Sequence, residues 1–260
     1  MWTLDSRSAV PAWRSDTVPP GLRMGFSTRR GGVSHAPYDT LNLGRSTADD
    51  PAAVMENRSR LLAAFGLDPE QLATAGQVHG AGVLRADGPG LAGDGDALVT
   101  TRPGLALAVT AADCLPVLLA APGGVAAIHA GWRGAAAGVA EAALRALTAA
   151  AGCDAGQVTA HFGPCIRDCC YEVGPEVAAQ FPAAAVHRRA APGRDDRAAL
   201  HLSVPESVRR RLVEAGMSPE AIHDSGACTA CDPEWYFSHR RDRGVTGRQW
   251  GVIARVLTDR

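Results

Sequence analysis

The run LALAVTAADCLPVLLAAPGGVAAIHAGWRG, residues 105–134, holds three strongly apolar segments, 105–110, 115–120 and 125–129. The cluster Pro122-Gly123-Gly124 separates the last two. Short apolar runs bounded by turn residues read as buried strands, and the tight turn makes the second pair a β-hairpin. After GWRG, the run 135–151 is almost pure helix former and meets a stop signal at Gly152. Working outward, a helix is expected from Asp50-Pro51 to Phe65 with Gly66 as its end, a strand over 158–162, and a helix over about 204–214. Residues 1 to about 20 read as an extended edge segment, 25–44 as a glycine-punctuated loop, and 188–197 as an exposed polar loop. No repeat or linker divides the chain, so the expectation is one mixed domain spanning 1–260, with turn-paired strands beside separate helices. That pattern is α+β rather than a regular βαβ succession.

Composition narrows the function. The 260 residues are 46% apolar, enough to bury a core without disulfides, and the formal net charge is -1. No basic field of the kind nucleic acid or an anionic membrane requires is present, so neither is an expected partner. All 26 basic residues are arginine, which rules out a Schiff-base lysine, a pyridoxal-phosphate anchor and a P-loop lysine. An anion must therefore be met by arginine or backbone. The apolar tract 115–128 is broken by Pro116, Pro122, Gly123 and Gly124 and is shorter than the ~20 residues a membrane helix needs. Seven cysteines, an odd count, and an N-terminus without an apolar export segment favour a cytoplasmic protein.

Three residues stand out as metal ligands: His79 in QVHG, Cys114 in TAADCLP and His129 in AAIHAGWRG. Two imidazoles and a thiolate suit zinc or copper, and three protein ligands leave a fourth position open for chemistry. Counting back from the hairpin turn sets Cys114 opposite the stretch just after His129, and opposed residues lie roughly 4.5–5.5 Å apart. His79 must come from a separate segment, where Gly76 and Gly80 allow close backbone approach. Asp113, a carboxylate between two apolar strands, is expected to orient an imidazole or to accept a proton. In HAGWRG, Arg133 and the free N–H groups of the helix expected after Gly134 form a candidate phosphate or carboxylate cradle. Arg29 and Arg30 in STRRGG, and Arg240, Arg241 and Arg248 near the C-terminus, are weaker candidates for the same task. Cys228 and Cys231 form a CxxC, but Cys165, Cys169 and Cys170 offer no clear second pair, so a structural zinc site is disfavoured. GPCIRDC misses the deaminase PCxxC spacing by one residue and lacks an HxE partner.

The segments STRRGGVS, LNLG, ENR, QVHG, ADCLPVLL, HAGWRG, GPCI with CCYEVG, and FSHRRD with TGRQ occur in one order from about residue 25 to 253. In this the chain resembles the laccase-domain family, variously called polyphenol oxidoreductase, purine nucleoside phosphorylase or peptidoglycan editing factor. The resemblance implies a single-domain, four-layered α/β/β/α sandwich, core about 22–257, similar to the catalytic domain of cytotoxic necrotizing factor toxins. It implies that the family's His, Cys, His metal ligands fall on His79, Cys114 and His129, with zinc the ion and copper also reported. His79, Cys114, His129 and Asp113 are then the expected catalytic residues, and Arg29, Asn42, Arg133 and Arg240 the expected substrate contacts.

The implied activity is phosphorolysis of adenosine, inosine and S-methyl-5'-thioadenosine, with adenosine deamination as a side activity. The alternative is an editing hydrolase that removes L-serine from UDP-MurNAc-L-Ser, a cell-wall precursor. Copper-dependent polyphenol oxidation is disfavoured: no methionine is close in sequence to the three ligand motifs, and all eight histidines are isolated rather than in HxH pairs. A non-enzymatic metal-storing or partner-binding protein is a third reading, and the open fourth position argues against mere storage. The expected partner is a small molecule, nucleoside plus phosphate, taken up by a monomer or homodimer.

Overall fold

A computed structural model describes residues 2–256 apart from 17, 20 and 191–197. Its first sheet has seven strands, ordered Trp2–Asp5, Ala12–Ser15, Leu22–Ser27, Gln249–Arg255, Ala106–Ala111, Leu72–Gly76 and Gly90–Asp94. The second has six, ordered Ile222–Asp224, Thr159–Phe162, Leu115–Ala121, Gly124–Ala130, Ala97–Thr100 and Val83–Arg85. A small third sheet joins Glu172–Val173, Ala198–Leu202 and Val186–Ala190.

Side-chain alternation makes layers of the two large sheets, because successive residues of a strand face opposite sides. Leu107 and Val109 of the first sheet and Leu98, Leu118, Val125 and Ala127 of the second share one buried cluster, so these faces pack on each other. The opposite faces are equally apolar. Ala106, Ala108 and Val252 cluster with Leu61, Leu62 and Phe65, which places helix α1 (Pro51–Ala64) outside the first sheet. Val117, Leu119 and Ile128 cluster with Leu144, Leu147, Val208 and Leu212 outside the second. The central strands are covered on both sides, which is why 105–130 reads as nearly unbroken apolar sequence. The result is the four-layered α+β sandwich.

Helix α1 begins where Asp50 accepts the Ala52 N–H at 2.9 Å with Pro51 in the first turn, and ends before Gly66 at φ 64°. The hairpin forms as read, with His129 opposite Pro116 and Ala130 opposite Leu115. The alanine-rich run after GWRG departs from expectation. It splits into α2 (Trp132–Ala136) and α3 (Val139–Ala151), with Gly138 at φ 85° between them. Arg211 bridges the break, donating to the Ala136 carbonyl at 3.2 Å and to Glu141 at 2.9 Å. Two further helices follow, α4 (Pro175–Ala178) and α5 (Val204–Glu214). The polar stretch expected as a loop over 188–197 starts inside a strand, since Val186–Ala190 pairs with Ala198–Leu202; residues 191–197 lie outside the described residues. Among the described residues no helix is long and apolar enough to cross a membrane.

Candidate metal centre and its cleft

Three chain segments meet at one end of the sandwich. Cys114 lies in the link from Ala106–Ala111 of the first sheet to Leu115–Ala121 of the second, and His129 is the penultimate residue of the second arm of the hairpin. His79 follows Leu72–Gly76 of the first sheet. Their ligand atoms all lie within 4.8 Å of one another. The imidazoles of His79 and His129 meet edge to face, 4.8 Å between centroids. His79 is exposed and His129 buried, so the group opens to solvent from one side.

The residue that assembles this group is Asp96, which the sequence reading did not single out. It lies in the link between Gly90–Asp94 and Ala97–Thr100 and is fully buried. One carboxylate oxygen meets His129 Nδ1 at 2.8 Å, leaving Nε2 free to ligate. The same carboxylate accepts the N–H groups of Val78, His79 and Gly80, at 3.3, 3.0 and 2.6 Å. His79 is thereby held at φ 61°, a left-handed conformation uncommon for a side chain of this size. Burial alone raises Asp96, yet the His129 hydrogen bond and the Gly80 N–H bring its pKa below the ordinary carboxylate value. A signal did exist in sequence: Asp96 stands before the apolar run ALV, the same anomaly that drew attention to Asp113.

Close packing needs two glycines of HAGWRG. A Cβ on Gly131 would lie 3.1 Å from Cys114 Sγ and 3.2 Å from His79 Cδ2. A Cβ on Gly134 would lie 2.6 Å from the Gly80 carbonyl oxygen. Of the two glycines expected to allow close approach, Gly80 has room for a side chain, 3.6 Å from the nearest atom, whereas a Cβ on Gly76 would collide with Asp94 Oδ1. Gln77 fixes the other side, exchanging two 2.7 Å hydrogen bonds with the Thr110 backbone.

Burial disfavours both charged forms of Cys114 and His129, but their mutual attraction outweighs it, helped at His129 by Asp96. The thiol falls to about 6 and the imidazole rises to about 9. Cys114 is thus a thiolate near neutrality, the form that binds a metal. The donor set fits zinc: two imidazoles, one thiolate, and a carboxylate behind one imidazole to fix its tautomer.

His79, Cys114 and His129 line a cleft of about 1070 Å³. Arg45, Arg58, Arg240 and Arg248 line it, as do Tyr171 and Trp132. Met55 lines it too, although it is distant in sequence from the ligand motifs. Burial, and then Arg45 beside it, lowers Arg58 to about 10.

The other expected contacts lie in various places. Arg240 reaches the rim, its Nη1 donating to the Glu172 carbonyl at 2.9 Å. Asp113 sits beside Cys114 at φ 86°, but its carboxylate accepts from the Thr229 hydroxyl at 2.6 Å and the Arg240 N–H at 2.7 Å. The carboxylate that orients an imidazole is Asp96. Arg133 is exposed and lies over the Trp132 ring, 4.3 Å to the centroid. The helix start expected after Gly134 lies at Trp132 instead and lasts only five residues, and the Ala135 N–H already donates to Gly131 at 2.8 Å. Arg29 is outside the cleft lining, bound to Asp39 and to the Pro233 carbonyl. Asn42 is buried and braces a loop through Thr47, Asp49, Gly44 and Arg248.

The sequence profile of the family described as multi-copper polyphenol oxidoreductase laccase matches residues 23–256. A purine nucleoside phosphorylase of Streptomyces coelicolor is 42% identical over 247 residues, covering 92% of this chain and 97% of that one. The purine nucleoside phosphorylase YfiH of Escherichia coli is 40% identical, with 95% and 98% covered. The crystal structure of YfiH from Bacillus licheniformis superimposes with a TM-score of 0.88 at 29% identity, covering 97% of this chain and 98% of that one. A profile match across nearly the whole length, together with relatives at this identity and a shared fold, establishes that the chain belongs to the multi-copper polyphenol oxidoreductase laccase family.

Proposed function

We propose that the protein is a purine nucleoside phosphorylase that acts on adenosine, inosine and S-methyl-5'-thioadenosine, with adenosine deamination as a side activity. The observation that carries this reading is the His79–Cys114–His129 group in an arginine-lined cleft. The names of the relatives agree with it. In phosphorolysis a phosphate oxygen bonds to the ribose anomeric carbon as the bond to the purine nitrogen breaks, and the base leaves with a proton.

Arg45, Arg58, Arg240 and Arg248 supply the positive charge that a chain without lysine must draw from guanidinium groups, which suit a phosphate dianion. Tyr171, pushed up to about 12 by burial and by the Cys114 thiolate, keeps its phenolic proton and can donate it in a hydrogen bond to the departing base. Asp113 acts as a positioning residue, holding the Arg240 backbone at the rim. His79, Cys114 and His129 would hold a zinc ion, His129 through Nε2, and Asp96 would keep that imidazole aligned. When bound there, zinc supplies Lewis acidity that polarises a substrate oxygen. Copper oxidation finds less support, because the eight histidines include no HxH pair of the kind a trinuclear copper cluster uses.

The length of the cleft, which runs on from the three ligands to Met55 and Leu91, favours a second reading, an editing hydrolase for a larger nucleotide-linked serine amide. Purified protein given adenosine and phosphate is expected to release adenine and ribose 1-phosphate, and Cys114→Ala to lose that activity. Absence of product from wild type, or equal product from Cys114→Ala, overturns the phosphorylase reading, and release of serine from UDP-MurNAc-L-Ser would establish the second.

A further inference from the structure

Away from these ligands the fold assembles a second group of soft donors. In sequence Cys228-x-x-Cys231 has no evident second pair, which disfavours a structural zinc site. In the folded chain Cys169 and Cys170, in the turn after the Thr159–Phe162 strand, come to that CxxC, and the four sulfur atoms all lie within 4.8 Å of one another. Cys231 Sγ is 3.5 Å from Cys169 Sγ and 3.3 Å from Cys170 Sγ. A tetrahedron of thiolates with metal–sulfur bonds of about 2.3 Å has sulfur–sulfur edges of about 3.8 Å, so these separations match sulfurs grouped around a common centre. Disulfide pairing would instead draw sulfurs to about 2.0 Å, and the cysteines here are free thiols.

A second observation concerns Cys228. Its sulfur accepts the Arg167 N–H at 3.4 Å and also faces the backbone N–H groups of Ala230 and Cys231. N–H groups converging on the first sulfur of a CxxC turn hold the turn in the shape that brings both sulfurs to one side. Positive charge is close by, with Arg167 beside Cys228 and Arg189 beside Cys169.

We propose that Cys169, Cys170, Cys228 and Cys231 form a structural metal site that takes one thiophilic d¹⁰ divalent ion, zinc by chemical class, distinct from the His79–Cys114–His129 group. The site ties the segment 165–172 to the segment 227–232. The first carries Tyr171 and donates the Ile166 N–H to the Asp113 carbonyl; the second donates the Thr229 hydroxyl to the Asp113 carboxylate. One ion therefore clamps the two segments that support Asp113 and one wall of the cleft.

The test uses the full chain, reduced, stripped with chelator and titrated with ¹¹³Cd²⁺. A bound-cadmium NMR resonance at the strongly deshielded position of an all-sulfur site is expected, absent from Cys169→Ser/Cys231→Ser. Zinc measured on protein as isolated is expected to fall by one ion per chain in that double variant and to be unchanged by it at the His79–Cys114–His129 group. If the double variant does not fold, the wild-type resonance decides alone. No all-sulfur resonance from the reduced wild-type chain, its persistence in the folded double variant, or a Cys231 disulfide to Cys169 or Cys170 in metal-free native protein overturns the proposal. None of these outcomes depends on nucleoside turnover, so this site and the phosphorylase reading fail separately.

Discussion

At the scale of single residues, Asp96 holds more of the site together than any of the three ligands. Its carboxylate serves His129 and three consecutive backbone N–H groups, so it sets the imidazole orientation and the left-handed turn at His79 together. Asp96→Asn keeps the volume but removes the charge and makes half of the side chain a donor facing donors. A loss of about 10–100-fold in zinc affinity is expected, read by competition with a chromophoric chelator. Unchanged affinity would mean that His129 is oriented by its strand alone. Asp113 takes its partners from far along the chain. A buried carboxylate beside Cys114 was legible as needing partners, but which partners it has depends on Thr229 and Arg240, more than a hundred residues away.

At the scale of elements, the start of α2 and the QVHG turn are in backbone contact. Gly134 tolerates no side chain there, since a Cβ would meet the Gly80 carbonyl oxygen at 2.6 Å. Gly134→Ala is expected to cost about 1–3 kcal/mol in denaturant unfolding and to weaken zinc binding as His79 is pushed from its neighbours. Stability equal to wild type would show that the two segments can separate freely. The hairpin was readable element by element, because its apolar arms and its turn cluster are local. The break between α2 and α3 was obscured by uniformly high helix propensity. Gly138 supplied the only local sign, and the Arg211 side chain that fills the gap comes from α5.

At the scale of the whole molecule, the interior between the two sheets contains a histidine. His161 is buried against Trp2 and stacks on His223, and among the described residues its Nδ1 has no hydrogen-bond partner. Burial, then the neighbouring His223, lowers it to about 3. The folded chain therefore keeps His161 neutral where the unfolded chain binds a proton, below about pH 6.5. Its contribution is absent above that value, and it destabilises the fold progressively as pH falls from 6.5 toward 3, by up to about 1.4 kcal/mol per unit. Between pH 8 and pH 5, His161→Leu is expected to lose about 2 kcal/mol less than wild type in urea unfolding. Parallel losses in the two proteins would show that His161 is protonated in the folded state.

By itself the sequence determined the parts whose physics is local: the apolar strands, the hairpin turn, the ends of α1, the donor chemistry of His79, Cys114 and His129, and the exclusion of lysine chemistry. Its family motifs carried the four-layered arrangement. Only the tertiary structure decided which distant groups meet. Asp96 joins His129 to the turn at His79, Arg45, Arg58 and Arg248 enter the cleft while Arg29 stays outside it, and Cys169 and Cys170 find Cys228 and Cys231. The physical reason is that the site and the sulfur cluster are built on links between and beyond the strands. There, hydrogen bonds run between residues tens of positions apart, and no periodicity records their partners.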